Sequence, residues 1–389
     1  MALSSTSPFP TVLLVGASVR AAAASALRAG YDPWCADLFG DADLAAYCSA
    51  LTFEHYPHDL PKVLREAPAG PWMYTGAIEN HPRIVAEVAA ERELWGVDDT
   101  SLRRVRDPWR VRDALRHHGL AAPALARSSS ELPRDGSWLV KRWRSAGGRH
   151  VRVFAGPDPD EPRDCYFQQR IAGVSCSAVF VGAAGRAALL GATRQLIGEP
   201  WTGATGFRYA GSIGPLVLPA PIVAQLNAVG TALGGSFALR GLFGVDFILD
   251  DDRVWPVEVN PRYTASVEIL ERATESCSIR FHAEACRTAR LPEPAEITPT
   301  ADKLHGKAIL FAEKEIHISP SVTSMLLAVN AGHAWPLVAD IPRAGSRIEP
   351  GGPVATVFAS GSSADDVVAK LRGEVAALSR VLGISPPAA

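Results

Sequence analysis

Over the first hundred residues, short apolar runs alternate with amphipathic stretches. TVLLVG (Thr11 to Gly16) has the pattern of a buried strand ending in glycine, and ASVRAAAASALRAG reads as an alanine-rich helix closed by Gly30. PWCADLF predicts a second strand, LTFEHYPHDLPKVLREA a strand passing into a helix, PWMYTG a further strand and HPRIVAEVAAERELWG a further helix. Such alternation predicts an open parallel sheet with helices on both faces. After DPWRVRDALRHHGLAAP, an amphipathic helix ended by Gly119, the period changes. SWLVKRWRS, HVRVFAG, CYFQQRI, SCSAVFVG, AALLGATRQLIG and LFGVDFILD read as antiparallel strands, interrupted by a helix in PIVAQLNAVGTALGG. Beyond the Pro-rich ARLPEPAEITPT, the segments GKAILFAEKEIHI and PLVADIPRAGSRIEPGGPVATVFASG predict a small β-rich module, and ADDVVAKLRGEVAALSRVLG a closing helix. The expected fold class is α/β followed by α+β, in three units at residues 1–105, 106–298 and 299–389.

Composition narrows the function classes. With 389 residues, 47% of them hydrophobic, the chain can bury a sizeable core. Its 39 Lys and Arg against 41 Asp and Glu leave no block of one sign to track a phosphate backbone or an anionic membrane, so neither nucleic acid nor membrane is an expected partner. MALSSTSPFP lacks the basic start and apolar core of a signal peptide, and no stretch is apolar enough to span a bilayer; a cytoplasmic protein is expected. Six cysteines without a CxxC pair suggest reduced, mostly buried thiols rather than a disulfide framework or structural zinc site. The first strand-helix turn holds only GAS, so the dinucleotide fingerprint is absent, although Asp37 stands where a ribose-binding acid would.

Three stretches carry candidate chemistry. In GVDFILDDDRVWPVEVNPR, DDR marks a tight turn between two strands. Residues two apart on a strand share a face, so Glu258 and Asn260 lie side by side, with Asp246 able to meet them from the neighbouring strand. Two carboxylates and an amide oxygen on one sheet suit Mg²⁺ that also holds phosphates; the competing reading pairs both acids with arginines or turns them to solvent. In SWLVKRWRSAGGRHV, Lys141 sits in an apolar strand before a small-residue loop, Ser145 to Gly148. Such a loop admits phosphate oxygens close to its backbone, and a hairpin turn with an exposed lysine would look the same. In CYFQQRIAG, Gln168, Arg170 and Ile171 offer an adenine slot.

Taken in order, these stretches resemble the ATP-grasp superfamily. The resemblance covers nearly the whole chain and is most specific over residues 241–271. It implies a pre-ATP-grasp α/β domain, a central ATP-grasp domain and the small C-terminal module. It further implies ATP and Mg²⁺, with Mn²⁺ as a substitute, as cofactors. Asp246, Glu258 and Asn260 become metal ligands, and Lys141 a phosphate contact. Ser145, Gly147 and Gly148 fall in the loop over the phosphates, Gln168, Arg170 and Ile171 at the adenine hinge, and Arg262 where relatives hold a carboxyl or acyl substrate. Three positions depart from the family pattern. Pro108 follows Asp107 where many members have a phosphate-binding lysine, leaving Arg106 or Arg110 to serve, while Ser175 replaces a ribose-binding acid and Gly244 an arginine.

The activity so implied is ADP-forming ligation of a small-molecule carboxylate to an amine through an acyl phosphate, with Lys141 and Arg262 as catalytic groups. The acceptor side is expected among Arg194, Tyr209, Ser212, Arg262, Ser266 and Glu268. Rival readings are a bicarbonate-activating carboxylase and a non-catalytic nucleotide-binding protein. A homodimer is left open.

Overall fold

A computed structural model describes residues 9–156 and 164–387; most of the N-terminal stretch read above lies outside them. Strands β1 (Thr11–Gly16), β2 (Asp32–Asp37), β3 (Ala50–Thr52) and β4 (Trp72–Tyr74) form a parallel sheet in the order β3-β2-β1-β4. Alternation along β1 explains its two covered faces. Val12 and Leu14 join the cluster of Ala22, Ala23 and Ala26 from the helix Arg20–Arg28, while Leu13 and Val15 join that of Leu60, Leu64, Val85 and Val88.

A small antiparallel sheet follows: β5 (Leu125–Ala126), β6 (Trp138–Arg142), β7 (Val151–Val153) and β8 (Cys165–Gln169), ordered β5-β8-β6-β7. The large sheet begins with β9 (Val174–Ala183), β10 (Arg186–Ile197), β11 (Tyr209–Gly214), β12 (Gly241–Asp250) and β13 (Arg253–Asn260). β14 (Leu304–Phe311), β15 (Ile316–His317), β16 (Val338–Ala339), β17 (Arg347–Ile348) and β18 (Pro353–Gly361) come from the C-terminal part. Of these, only β15 and β17 pair by themselves. The others extend one eight-stranded sheet, ordered β13-β12-β9-β10-β11-β14-β18-β16.

One face of that sheet packs on the helix Ala220–Phe237 through Phe180 and Phe243, stacked at 5.1 Å. The opposite face is covered at one end by the helices Val267–Thr274 and Ser278–Thr288. Its other end carries Ser177, Gln195 and Asp246 toward a cleft. No helix among the described residues is long and apolar enough to cross a membrane.

His282 ties three of these parts together. Its Nδ1 accepts the Leu242 amide (2.8 Å) and its Nε2 meets the Trp95 carbonyl (3.0 Å), an arrangement that requires the neutral ring with its proton on Nε2. Burial pushes its pKa from the ordinary 6.5 down to about 4. The unfolded chain therefore takes up a proton below 6.5 that the native state refuses until about 4. Stability from this group is fully present above 6.5 and is lost as pH falls toward 4, by about 3 kcal/mol at 1.36 kcal/mol per unit. Urea midpoints of the protein should drop more between pH 7 and pH 5 than those of His282→Gln; equal drops would contradict this.

Candidate active site

The β12-β13 hairpin has the two-residue turn Asp251-Asp252, and its register sets Asp246 opposite Glu258 and Gly244 opposite Asn260. A bulge follows, because Phe247 pairs with Pro256, so Val257 is the extra residue. Its carbonyl turns to a new use: it accepts from Lys141 Nζ (3.3 Å) and Gln168 Nε2 (3.2 Å). Gln168 Oε1 also accepts from Lys141 (3.1 Å). Lys141, only 6% exposed, is thus aimed by a β8 amide and a β13 carbonyl.

Asp246 accepts from Gln195 Nε2 (3.0 Å) and Asn260 Nδ2 (3.0 Å), and no cation forms an ion pair with it among the described residues. Burial and then the facing Glu258 push its carboxyl up to about 6. Glu258 is held below the ordinary range: burial would raise it, but Lys141 and Arg106 outweigh that. Arg106 Nη1 donates to Glu258 (3.1 Å), while its Nη2 donates to Asn80 Oδ1 (3.0 Å) and the Ser145 carbonyl (3.4 Å). Two facing acids, one of them without an ion pair among the described residues, beside an amide oxygen form a donor set that fits Mg²⁺ or Mn²⁺. Among the described residues there is no group of three or more His, Cys, Asp and Glu for a metal, so such an ion would depend on Asn260 and on the nucleotide's own oxygens.

Arg262 donates through Nε to the buried Glu79 (2.6 Å), through Nη1 to the Tyr263 carbonyl (3.0 Å) and through Nη2 to Asn260 Oδ1 (3.2 Å). A guanidinium has five N–H donors, so one remains on each terminal nitrogen. Glu79 comes from a turn after β4, which makes the N-terminal part a positioning element for this arginine.

These groups share a cleft of about 700 Å³ with Gly147, Gly148, Arg170, Ile171, Tyr209 and Ser266. Gly148 has φ +73°, and a Cβ there would lie 1.8 Å from the Phe207 carbonyl oxygen. Any larger residue would lift the loop away. Ser145 stands at the loop's start, with its carbonyl held by Arg106. At the back, buried hydroxyls form a chain: Tyr209 to Ser212 (2.7 Å), Ser212 to Ser266 (3.4 Å) and Thr193 to Ser266 (3.0 Å).

Gln168 lines the same cleft, with its amide bonded to Lys141 and the Val257 carbonyl. Several other expectations come out differently. Arg194 alternates with Thr193 and Gln195 along β10 and pairs with the core residue Cys176, which places it on the opposite face from Asp246. Glu268 is no free base: it is 2% exposed and held by Arg20 (2.6 and 3.0 Å) and Lys307 (3.2 Å). Asp37 faces no cleft, since its carboxylate accepts the amides of Val19, Phe39 and Gly40. Of the two arginines beside Pro108, Arg106 reaches the site and Arg110 pairs with Asp107. Gly244 admits nothing larger, because a Cβ would lie 2.6 Å from Thr264 Cγ2. Glu79 and Asn80 carried no sequence signal; they lie more than a hundred residues from the hairpin that they serve.

Residues 105–266 match an ATP-grasp domain family. An uncharacterized protein of Methanocaldococcus jannaschii is 30% identical over 152 residues, which are 39% of this chain and 33% of that protein, so the match spans about a third of the relative's length. Among solved structures, the biotin carboxylase domain of Hydrogenobacter thermophilus 2-oxoglutarate carboxylase, in complex with MgADP, ADP and bicarbonate, superposes with a TM-score of 0.70 at 13% identity, over 94% of this chain and 89% of that one. L-amino acid ligase from Bacillus licheniformis superposes with a TM-score of 0.65 at 17% identity, over 95% and 97%. Residues 105–266 thus form an ATP-grasp domain.

Proposed function

We propose that the protein is an ADP-forming carboxylate-amine ligase. The observation that carries this reading is Arg262 with two donors to spare, set next to Asp246, Glu258 and Asn260 in the cleft that also holds Lys141 and the Gly147-Gly148 loop. A guanidinium fork matches a carboxylate bidentately, which orients one carboxylate oxygen toward the γ-phosphorus of ATP. That oxygen forms the new P–O bond as the bond to ADP breaks, giving an acyl phosphate. An amine then attacks the acyl carbon and phosphate leaves, with the amine's proton passing to solvent or to the hydroxyl chain at Tyr209 and Ser266. Mg²⁺ held by Asp246, Glu258 and Asn260 would neutralise charge on the phosphates. Lys141 places a fixed positive charge at the same oxygens, and Arg106 supplies a second. The loop at Gly148 keeps water from the acyl phosphate.

ADP release with Mg-ATP and a panel of amino acids, other carboxylates, amines and bicarbonate tests the reading. Release that needs both a carboxylate and an amine supports it. Release with bicarbonate alone would make the protein a carboxylase, and binding without turnover would make it a nucleotide-binding protein. Arg262→Lys should raise KM for the carboxylate about tenfold or more while leaving KM for ATP nearly unchanged, because an ammonium cannot form the paired contact. An unchanged carboxylate KM would remove Arg262 from this role.

A further inference from the structure

A second cavity, of about 330 Å³, lies between the segment after β2 and the C-terminal strands. Leu38, Phe39, Ile309 and Val354 supply carbon to its wall, and Asp41 and Asp340 supply carboxylates. Four carboxylates meet in this region. Asp37 is satisfied by three backbone amides. Asp43 accepts the amides of Asp340 (3.0 Å) and Ile341 (2.9 Å), and Asp340 accepts from Arg20 Nε (2.9 Å) and Thr356 Oγ1 (2.5 Å). Asp41 differs. It is 6% exposed, its Oδ2 has no hydrogen-bond partner, and no cation forms an ion pair with it among the described residues.

Of the neighbouring cations, Arg20 gives both terminal nitrogens to Glu268 and Arg347 pairs with Glu315 and Glu349, while Arg343 lies over Gly40 and forms no ion pair with Asp41 among the described residues. A buried carboxylate without a partner is costly, and a cation arriving from outside relieves that cost. A bare divalent ion needs several oxygens around one point, whereas three of these four carboxylates are already engaged and much of the wall is apolar. We propose that this cavity binds a small organic ammonium, with the cationic head against Asp41 and Asp340 and an apolar body against Leu38, Phe39, Ile309 and Val354. The site is separate from the catalytic cleft and does not depend on the reaction assigned there.

Calorimetric titration of the full chain at neutral pH with 2-phenylethylamine, isopentylamine and agmatine tests this, with 2-phenylethanol as the uncharged match. At least one amine should bind, and 2-phenylethanol should bind about tenfold or more weakly than 2-phenylethylamine, the factor for losing one charge-assisted hydrogen bond. Asp41→Asn should weaken the amine by a similar factor while melting no lower than the parent, since it removes a buried carboxyl oxygen that has no partner. Ile348→Trp should block the cavity from its half-buried rim. Absence of binding by all three amines, equal affinity of Asp41→Asn and parent, or equal affinity of amine and alcohol would each overturn the proposal. Mass analysis of the amine under ADP-release conditions separates this cavity from the cleft: an amine recovered unchanged supports the site, and one consumed in the reaction is a co-substrate of the cleft and would overturn the assignment here.

Discussion

Glu258→Gln should lower the rate of ADP release by at least about a hundredfold, the scale on which loss of one preorganised charge-stabilising group acts. The substitution preserves shape and the strand, so circular dichroism should be unchanged. Asp246→Asn makes a sharper companion. It should also abolish turnover, yet without ligands it should melt no lower than the parent. The reason is local: Asp246 faces Glu258 across the hairpin and has amide donors but no ion pair among the described residues. Replacing it removes a like-charge contact in a buried place. A purely structural pair would behave in the opposite way, losing stability with the first substitution and little activity with either. Survival of turnover in Glu258→Gln would remove the hairpin from the chemistry.

The second large effect concerns stability. Arg20→Met should lower the unfolding free energy by about 3–5 kcal/mol, the cost of leaving a buried ion without its partner. Arg20 is 1% exposed and bonded to Glu268 from the helix Val267–Thr274 and to Asp340 from the C-terminal part, with Asp43 at 3.8 Å. Its loss strands Glu268 with Lys307 alone and leaves Asp43 and Asp340 facing each other. The double change Arg20→Met with Glu268→Gln should recover part of the loss, which a double-mutant cycle in urea reads directly. Salt should change the result little, because the cluster is buried. A loss below about 1 kcal/mol would show that the cluster does not join these parts of the chain.

The Arg20 cluster also shows where sequence reading stops. Glu268 follows the β12-β13 hairpin in YTASVEILERA and looks available for catalysis, but its partner lies 248 residues away. Nothing in the local pattern announces that pairing. Similarly, Arg262 reads as a free guanidinium next to VEVN, while Glu79, 183 residues earlier, fixes its direction. Gln168 sits where the hinge strand suggests a nucleotide contact, and its bond to the Val257 bulge is not announced by the local pattern. The pattern does not predict the helix Pro320–Val329, because its apolar positions run nearly all round and are flanked by glycine and proline. The C-terminal strands read as a module of their own, and most of them extend the large sheet.

What the sequence determined by itself is local: the parallel start, the antiparallel centre, the two-residue turn, and the placing of Glu258 and Asn260 on one face. Each follows from side-chain period and turn chemistry, which act over a few residues. Only the tertiary structure decided which charged groups are free. Ion pairs and buried hydrogen bonds join side chains hundreds of residues apart, and a carboxylate's neighbours set whether it binds a ligand, anchors an arginine or stands alone. By that criterion Asp246 and Asp41 form no ion pair among the described residues, Glu268 and Asp37 are engaged in structure, and the cleft at VEVNPR is where the proposed chemistry would occur.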